Sequence, residues 1–363
     1  MTSEDGTGTL LTIGAFARTA RLSIKALRLY DEIGLLPPLC TDPATGYRYY
    51  EPAQLERARL VAWLRRLDMP LARIRLVCDL CETDRFAAVA EIREFWLRVE
   101  ADTAARRDLV SFLIDQLSGK EDTVRQTEQL EIRYAALSDI GSVREVNQDA
   151  AFAGERLLAV ADGFGEQGAP ASAAAIDALR EVDDGRVVES GDLLNVLQDA
   201  VQRANEAVSA FDAGTTLTAM LWTGSHLGLV HIGDSRAYLL RDGRFFQITH
   251  DHTLVQSMLD EGRITPQEAE SHPKRTLLVR ALGSGDVVVE PEVQVADVRA
   301  GDRYLLCTDG LSANVADAEI RRVVEGTADP AEAVRNLLAS AEHEGSPDNV
   351  ACVVADVVRA TRS

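Results

Sequence analysis

Hydrophobic positions follow two regimes along this chain. In the first third they recur every three or four residues, the spacing of helices with one buried face. Ile13, Phe16 and Ala17 share a face of a helix predicted over 13–19, with Thr12 as its cap. A turn through Ala20, Arg21 and Leu22 leads to a second capping residue, Ser23, and to a helix over 24–33 that stops at Gly34. Two short helices joined by a tight turn make a helix-turn-helix. The run Asp42-Pro43-Ala44-Thr45-Gly46 is turn chemistry, and Tyr47-Arg48-Tyr49-Tyr50 reads as the return strand of a hairpin. A long helix is predicted over 83–120, with Ile92, Phe95, Trp96, Val99, Leu109, Phe112, Leu113 and Leu117 as its apolar stripe. Thr103 and Arg106 interrupt the stripe, so a strict heptad fails. Residues 1–10 are expected to be a disordered tail and 121–133 a polar, charged linker.

From 134 onward the apolar residues come in short runs broken by turns. Strands are predicted over 134–138, 157–161, 215–222, 227–232, 236–241, 245–248, 303–308 and 350–358, with helices over 171–181, 193–211 and 331–342. Asp242-Gly243 turns a hairpin between two of these strands. Several runs end in an acid: Ala159-Val160-Ala161-Asp162-Gly163, Ile232-Gly233-Asp234 and Leu306-Cys307-Thr308-Asp309-Gly310. Asp348 precedes another run, and Asp149 stands near the start of this half. Acids at several strand ends can converge, and such a cluster is costly unless cations occupy it. Oxygen-only ligands point to Mg²⁺ or Mn²⁺ rather than zinc. Against this stands the plain reading of each Asp-Gly as a surface turn.

Composition divides the chain in the same way. At 363 residues, 46% hydrophobic and 26% charged, it has room for two or more ordinary domains. The net charge is −20, unevenly spread. Residues 11–82 carry 11 Lys/Arg against 8 Asp/Glu, a balance of +3, which leaves −23 for the rest. A mildly basic head thus precedes a strongly acidic body. No apolar run is long enough to span a membrane, the first residues do not form a signal peptide, and five scattered cysteines suit a reducing compartment, so a cytoplasmic protein is expected.

Two resemblances sharpen the picture. Residues 11–82 resemble the DNA-binding head of the MerR family of transcriptional regulators, through Leu11-Thr12-Ile13-Gly14-Ala15-Phe16-Ala17, Ala26-Leu27-Arg28-Leu29-Tyr30-Asp31-Glu32-Ile33-Gly34-Leu35-Leu36-Pro37, Gly46-Tyr47-Arg48-Tyr49-Tyr50 and Leu64-Arg65-Arg66-Leu67 before Pro70-Leu71. The resemblance implies an all-α winged helix-turn-helix head with Lys25, Arg28 and Tyr30 at the major groove or its phosphates, and Tyr47 and Arg48 on the wing. It also implies an antiparallel dimerisation helix over 83–120 and a homodimer on near-palindromic promoter DNA. The alternatives are a head that only dimerises, or a helix that packs on its own domain. Cys78 and Cys81 sit near a cysteine of metal-sensing members, but the loop cysteines of those members are missing and a core pattern is the simpler reading.

Residues 134–358 resemble the PPM/PP2C family of metal-dependent Ser/Thr protein phosphatases. The motifs run in order: Ser138-Asp139-Ile140-Gly141-Ser142-Val143-Arg144, Asn147-Gln148-Asp149-Ala150, Val160-Ala161-Asp162-Gly163-Phe164-Gly165, Ala213-Gly214-Thr215-Thr216-Leu217, Ile232-Gly233-Asp234-Ser235-Arg236, Asp251-His252-Thr253, Cys307-Thr308-Asp309-Gly310-Leu311 and Asp348-Asn349-Val350. The resemblance implies an αββα sandwich of two antiparallel sheets. It implies that Asp162 bridges two ions, that the Gly163 carbonyl holds one of them, and that Asp309 and Asp348 hold the second. Asp234 matches the acid of a third, weaker ion, Asp149 is a ligand or its support, and Arg144 grips the substrate phosphate. The implied chemistry is in-line hydrolysis of phosphoserine or phosphothreonine in a phosphorylated protein, by a water activated between two Mn²⁺ or Mg²⁺ ions. Two departures matter: Glu166 replaces a usual glycine, and Gln148 stands where some members place a carboxylate. His252 lies in the expected flap segment, 251–283, and is left outside the site. The alternative is a transcription factor whose phosphatase-like body is an inactive sensor of phosphoprotein or metal.

Overall fold

The computed structural model describes residues 10–117, 130–182, 193–223, 226–261, 263–283 and 290–360. The expected tail, but for Leu10, and most of the expected linker lie outside them. The chain divides into two compact units, one of residues 1–96 with 254–276 and one of residues 97–253 with 277–363.

In the first unit, β1 (Leu11–Thr12) leads into α1 (Ile13–Ala20) and α2 (Ile24–Glu32). The two predicted caps form: Thr12 accepts from the Ala15 N–H and Ser23 from the Ala26 N–H, at 3.3 and 3.0 Å. Arg21, in the left-handed region at φ 56°, makes the turn between them. β2 (Cys40–Thr41) and β3 (Arg48–Tyr50) complete a small antiparallel sheet in the order β1-β3-β2. The head is therefore helical with a three-stranded sheet rather than purely helical. Phe16 stacks on Tyr50 with ring centroids 4.4 Å apart and seals helix to sheet. Then come α3 (Gln54–Arg65) and α4 (Leu71–Thr83), with α8 (Leu254–Asp260) and α9 (Pro266–Glu270) from later in the chain. α5 (Arg85–Leu117) starts in this unit and ends in the second. Along it Phe86 is 90% exposed and Trp96 44%, while Leu109 packs against a core cluster of the second unit.

The second unit holds two antiparallel sheets. One contains β4 (Leu130–Asp139), β10 (Arg236–Arg241), β11 (Arg244–Gln247), β13 (Arg303–Cys307) and β14 (Val350–Arg359), ordered β11-β10-β13-β14-β4. The other contains β5 (Asp149–Ala153), β6 (Leu157–Gly165), β8 (Leu217–Trp222), β9 (His226–Ile232) and β12 (Glu292–Asp297), with β7 (Ala213–Thr215) paired to the end of β6. Strand periodicity splits the apolar residues of each strand between two cores. Leu158 and Val160 meet Leu306, Val353 and Ala355 in the core between the sheets. Leu157, Ala159 and Ala161 face outward onto α6 (Gly168–Arg180) and α7 (Leu193–Val208). On the far side, Cys352 and Val354 pack under α10 (Asp309–Ser312), α11 (Asp317–Gly326) and α12 (Pro330–His343). Both faces of the central strands are covered, which is why they read as continuous apolar runs.

The layers are locked at their edge by Arg303, which is buried. Its Nε and Nη2 meet Asp356 at 2.5 and 2.7 Å, and its nitrogens also reach the carbonyls of Val324, Thr327 and Ala328. Replacing Arg303 with Met leaves the partly buried Asp356 carboxylate and three carbonyls without their donor. The expected loss is about 3–5 kcal/mol, read as a melting temperature roughly 6–20 °C lower. An unchanged melting temperature would show that the cluster carries no stability.

Candidate metal centre

The register of the second sheet places the first acids. Asp149, first residue of β5, pairs directly with Asp162 near the end of β6. β7 closes over the tip of β6, so the Asp162 carbonyl accepts the N–H of Thr216 at 2.9 Å and the hydroxyl of Thr215 at 3.0 Å. The Asp162 N–H is in turn held by Thr216 Oγ1 at 2.9 Å. Gly163 is there because of space: a Cβ would strike the carbonyls of Gly168 and Gln148. Its N–H goes to Gln148 O at 3.1 Å. From the other sheet come Asp309, at the start of α10 just past β13, and Asp348, just before β14. Asp234 follows β9 at the turn on Gly233.

These five acids converge. Asp149 is nearly enclosed at 9% exposure, while Asp162, Asp234, Asp309 and Asp348 are partly open and line the mouth above it. Thr308 donates its hydroxyl to Asp149 Oδ2 at 2.6 Å. Burial and the neighbouring Asp309 and Asp348 push Asp149 up to about 7, against the hydrogen bond from Thr308. Burial, then Asp309 and Asp251, push Asp234 to about 8. Asp162 is raised well above the ordinary carboxylate range by burial and by Asp149, Asp309 and Asp234, and Asp309 is raised by burial and Asp348. An all-oxygen, mutually repelling donor set at a mouth with one enclosed and four partly open acids fits a hard divalent cation.

Arg144 lies in the exposed loop between β4 and β5. Its Nε and Nη2 fork onto Asp348 Oδ1 and Oδ2 at 2.9 and 2.8 Å. The two residues that the family resemblance assigns to phosphate and to metal are thus paired with one another. The loop is shaped by Asn349, whose amide donates to the carbonyls of Ile140 and Val146 at 2.8 and 3.1 Å and accepts the Gln148 N–H at 2.8 Å. Gln148 sends its side-chain amide to Gly165 O at 2.9 Å, so it fastens the β6 tip. Glu166 is exposed in the turn before α6. Residue order alone gives Thr216, Thr308 and Asn349 no role. Their only local signal is that each adjoins a motif acid or threonine.

In the head, Lys25 and Arg28 are exposed on α2, and Tyr47 is 58% exposed at the hairpin. Arg48 ties β3 to α2 through Asp31, Nε to Oδ2 at 2.6 Å. Tyr30 departs from expectation. It is three residues after Leu27 on the inward face of α2 and only 6% exposed, so its ring belongs to the packing of the head rather than to a DNA-facing surface.

Comparison with known proteins bears on both halves. The family model described as Protein phosphatase 2C matches residues 142–354, and this chain belongs to that family. A second model, MerR HTH family regulatory protein, matches residues 11–81. The serine/threonine protein phosphatase PstP of Mycobacterium tuberculosis is 51% identical over 239 residues, covering 63% of this chain and 46% of PstP. The chain thus spans about half the length of that relative. Protein phosphatase PhpP of Streptococcus pneumoniae is 29% identical over 60% of this chain and 95% of its own length. Among solved structures, the M. tuberculosis PstP/Ppp phosphatase superposes with TM-score 0.59 at 50% identity, covering 63% of this chain and 99% of that one. The catalytic domain of PstP in complex with two manganese ions superposes with TM-score 0.58 at 49% identity, over 63% of this chain and 99% of that one.

The raised acids set a pH dependence. Without metal, a fold that favours protonated carboxylates keeps its stability below the usual carboxylate range and loses it as pH rises through about 7 and 8, the values of Asp149 and Asp234. In chelator, the melting temperature of the body is expected to fall steadily from pH 5 to pH 8.5, and Mn²⁺ added at pH 8 to restore it. A melting temperature that rises with pH in chelator would contradict this.

Proposed function

We propose that this chain is a DNA-binding transcriptional regulator carrying a metal-dependent phosphoserine/phosphothreonine protein phosphatase. The observation that carries the reading is the meeting of Asp149, Asp162, Asp234, Asp309 and Asp348 at one mouth with Arg144 at its rim. Asp162 and the Gly163 carbonyl would hold one ion, Asp162, Asp309 and Asp348 a second, and Asp234 a third, with Asp149 beneath as ligand or support. Bound Mn²⁺ or Mg²⁺ would act as Lewis acids toward a phosphate and lower the pKa of water. Thr216 and Thr308 keep Asp162 and Asp149 in place for this. Arg144, with its planar fork, binds the equatorial oxygens of the phosphate once it leaves Asp348.

In the head, Lys25 and Arg28 on α2 and Tyr47 and Arg48 on the hairpin form the DNA-contacting set of a winged helix-turn-helix, and exposed Phe86 and Trp96 on α5 support a homodimer through that helix. All five cysteines are free thiols, in keeping with a cytoplasmic protein. Among the described residues no helix is long and apolar enough to cross a membrane.

The Arg144–Asp348 fork favours a second reading, in which the body senses a phosphoprotein or metal without turnover, because the phosphate grip and a ligand acid are both engaged. Phosphate release from a phosphothreonine peptide separates the two. With Mn²⁺ the full chain is expected to turn over, chelator to stop it, and Asp162→Asn to lower kcat by at least about 10³-fold through loss of a bridging charge. Absence of turnover with Mn²⁺ bound would leave the sensor. For the head, Arg28→Ala is expected to weaken binding to promoter fragments by about tenfold, read by fluorescence anisotropy at fixed salt. Unchanged affinity would leave a head that only dimerises.

A further inference from the structure

At the end of β9 the chain turns on Gly233, whose φ is +107° and whose Cβ, if it had one, would run into Thr216. Ladder pairing with β8 stops at Ile232, so both backbone groups of Gly233 need other partners. One residue serves both. The Gly233 N–H donates to His252 Nδ1 at 3.2 Å, and the His252 N–H donates to the Gly233 carbonyl at 2.7 Å. The next residue is Asp234. The His252 carbonyl accepts the Val279 N–H at 2.9 Å, which fixes the histidine from its other side.

Because Nδ1 accepts, the ring proton is on Nε2, which faces Glu292 Oε2 at 3.9 Å. His231 lies against the same ring, centroids 4.8 Å apart. Burial pushes both imidazoles down to about 4, so both are neutral at working pH. His231 donates Nε2–H to the His250 carbonyl at 2.9 Å and takes the Thr218 hydroxyl at Nδ1, also at 2.9 Å. Thr218 Oγ1 is 3.0 Å from the Ser235 carbonyl, and the Ser235 hydroxyl is 2.7 Å from Thr216 Oγ1, the group that holds the Asp162 N–H. His231, His252 and Glu292 bring potential ligand atoms within 4.8 Å of one another, the spacing of a metal site. Yet both nitrogens of His231 and Nδ1 of His252 are already bound, so the trio serves as a brace and not as a cation site.

We propose that His252 is a positioning residue for Asp234: its imidazole caps the orphaned Gly233 N–H and so sets where the following carboxylate points, with His231 backing the ring. The inference rests on the reading of Asp234 as a metal-holding acid. It assigns to a histidine outside the acid cluster the task of tuning the weakest ion of the centre.

The test uses the full chain with His252→Asn, His252→Gln and His252→Ala. Asn puts an amide oxygen where Nδ1 stands; Gln displaces it by one carbon; Ala removes it. Bound Mn²⁺ is counted by electron paramagnetic resonance, and the Mn²⁺ needed for half-maximal turnover is measured alongside. For Gln and Ala, loss of a buried acceptor is expected to raise the Mn²⁺ requirement and loosen the weakest bound ion by about tenfold, with the peptide KM at saturating Mn²⁺ unchanged. Asn is expected to stay within about twofold of the native chain, because its oxygen can restore the cap. If Ala fails to fold, the Asn–Gln comparison still decides. Native Mn²⁺ binding in His252→Gln, or His252→Asn no better than Gln, overturns the proposal. Native chain without Mn²⁺-dependent turnover overturns the phosphatase reading instead, and the resonance count still reads the positioning.

Discussion

Like charges gathered out of water are the constraint around which the body of this protein is built. Asp162 cannot lose its proton easily while Asp149, Asp309 and Asp234 stand around it in a partly enclosed mouth. Such an arrangement persists only if the scaffold holds the acids together against their repulsion and something positive, proton or cation, offsets it. The scaffold does the first part with two sheets whose central strands are covered on both faces, so the strand ends have little freedom. It does the second by leaving four of the acids partly open above buried Asp149.

Holding the acids requires neutral hydroxyls placed behind them, donating to a carboxylate or accepting a backbone N–H. Thr308 serves Asp149, Thr216 serves the Asp162 backbone, and Ser235 joins Thr216 to the turn that carries Asp234. These hydroxyls adjust their protons to the charge state of their partners, which a fixed cation could not do. One cationic group, Arg144, is kept at the rim on a loop shaped by Asn349, where it meets Asp348, and a second, Arg236, is paired with Asp251 and also acts on Asp234 and Asp309.

The head follows a different logic. Its interior is apolar and aromatic, with Phe16 on Tyr50 and Leu27 and Tyr30 facing in, and some of its surface charges pair, as Arg48–Asp31 and Arg57–Asp79 do. Lys25 and Arg28 stay exposed on α2.

Much of this was legible in residue order. The helical spacing of Ile13, Phe16 and Ala17, the caps Thr12 and Ser23, the Asp242-Gly243 hairpin and the apolar runs ending in acids are local signals, each set by neighbours within a turn or a strand. Other elements lacked such signals. β5 is rich in alanine, and β12 alternates polar with small or branched residues, so neither stands out until β6 and β9 pair with them. The expected strand over 215–222 breaks at Thr216, because its N–H turns to Asp162 O instead of continuing a ladder. Tyr30 looked like a surface residue because its exposure depends on what packs against α2, not on its own neighbours in sequence. The sequence by itself determined which residues carry charge and which strands end in acid. Only the tertiary structure decided that Arg144 meets Asp348 across 204 positions, Thr308 meets Asp149 across 159, and His252 meets Gly233 across 19. Those meetings follow from sheet register and strand order, which no local periodicity encodes.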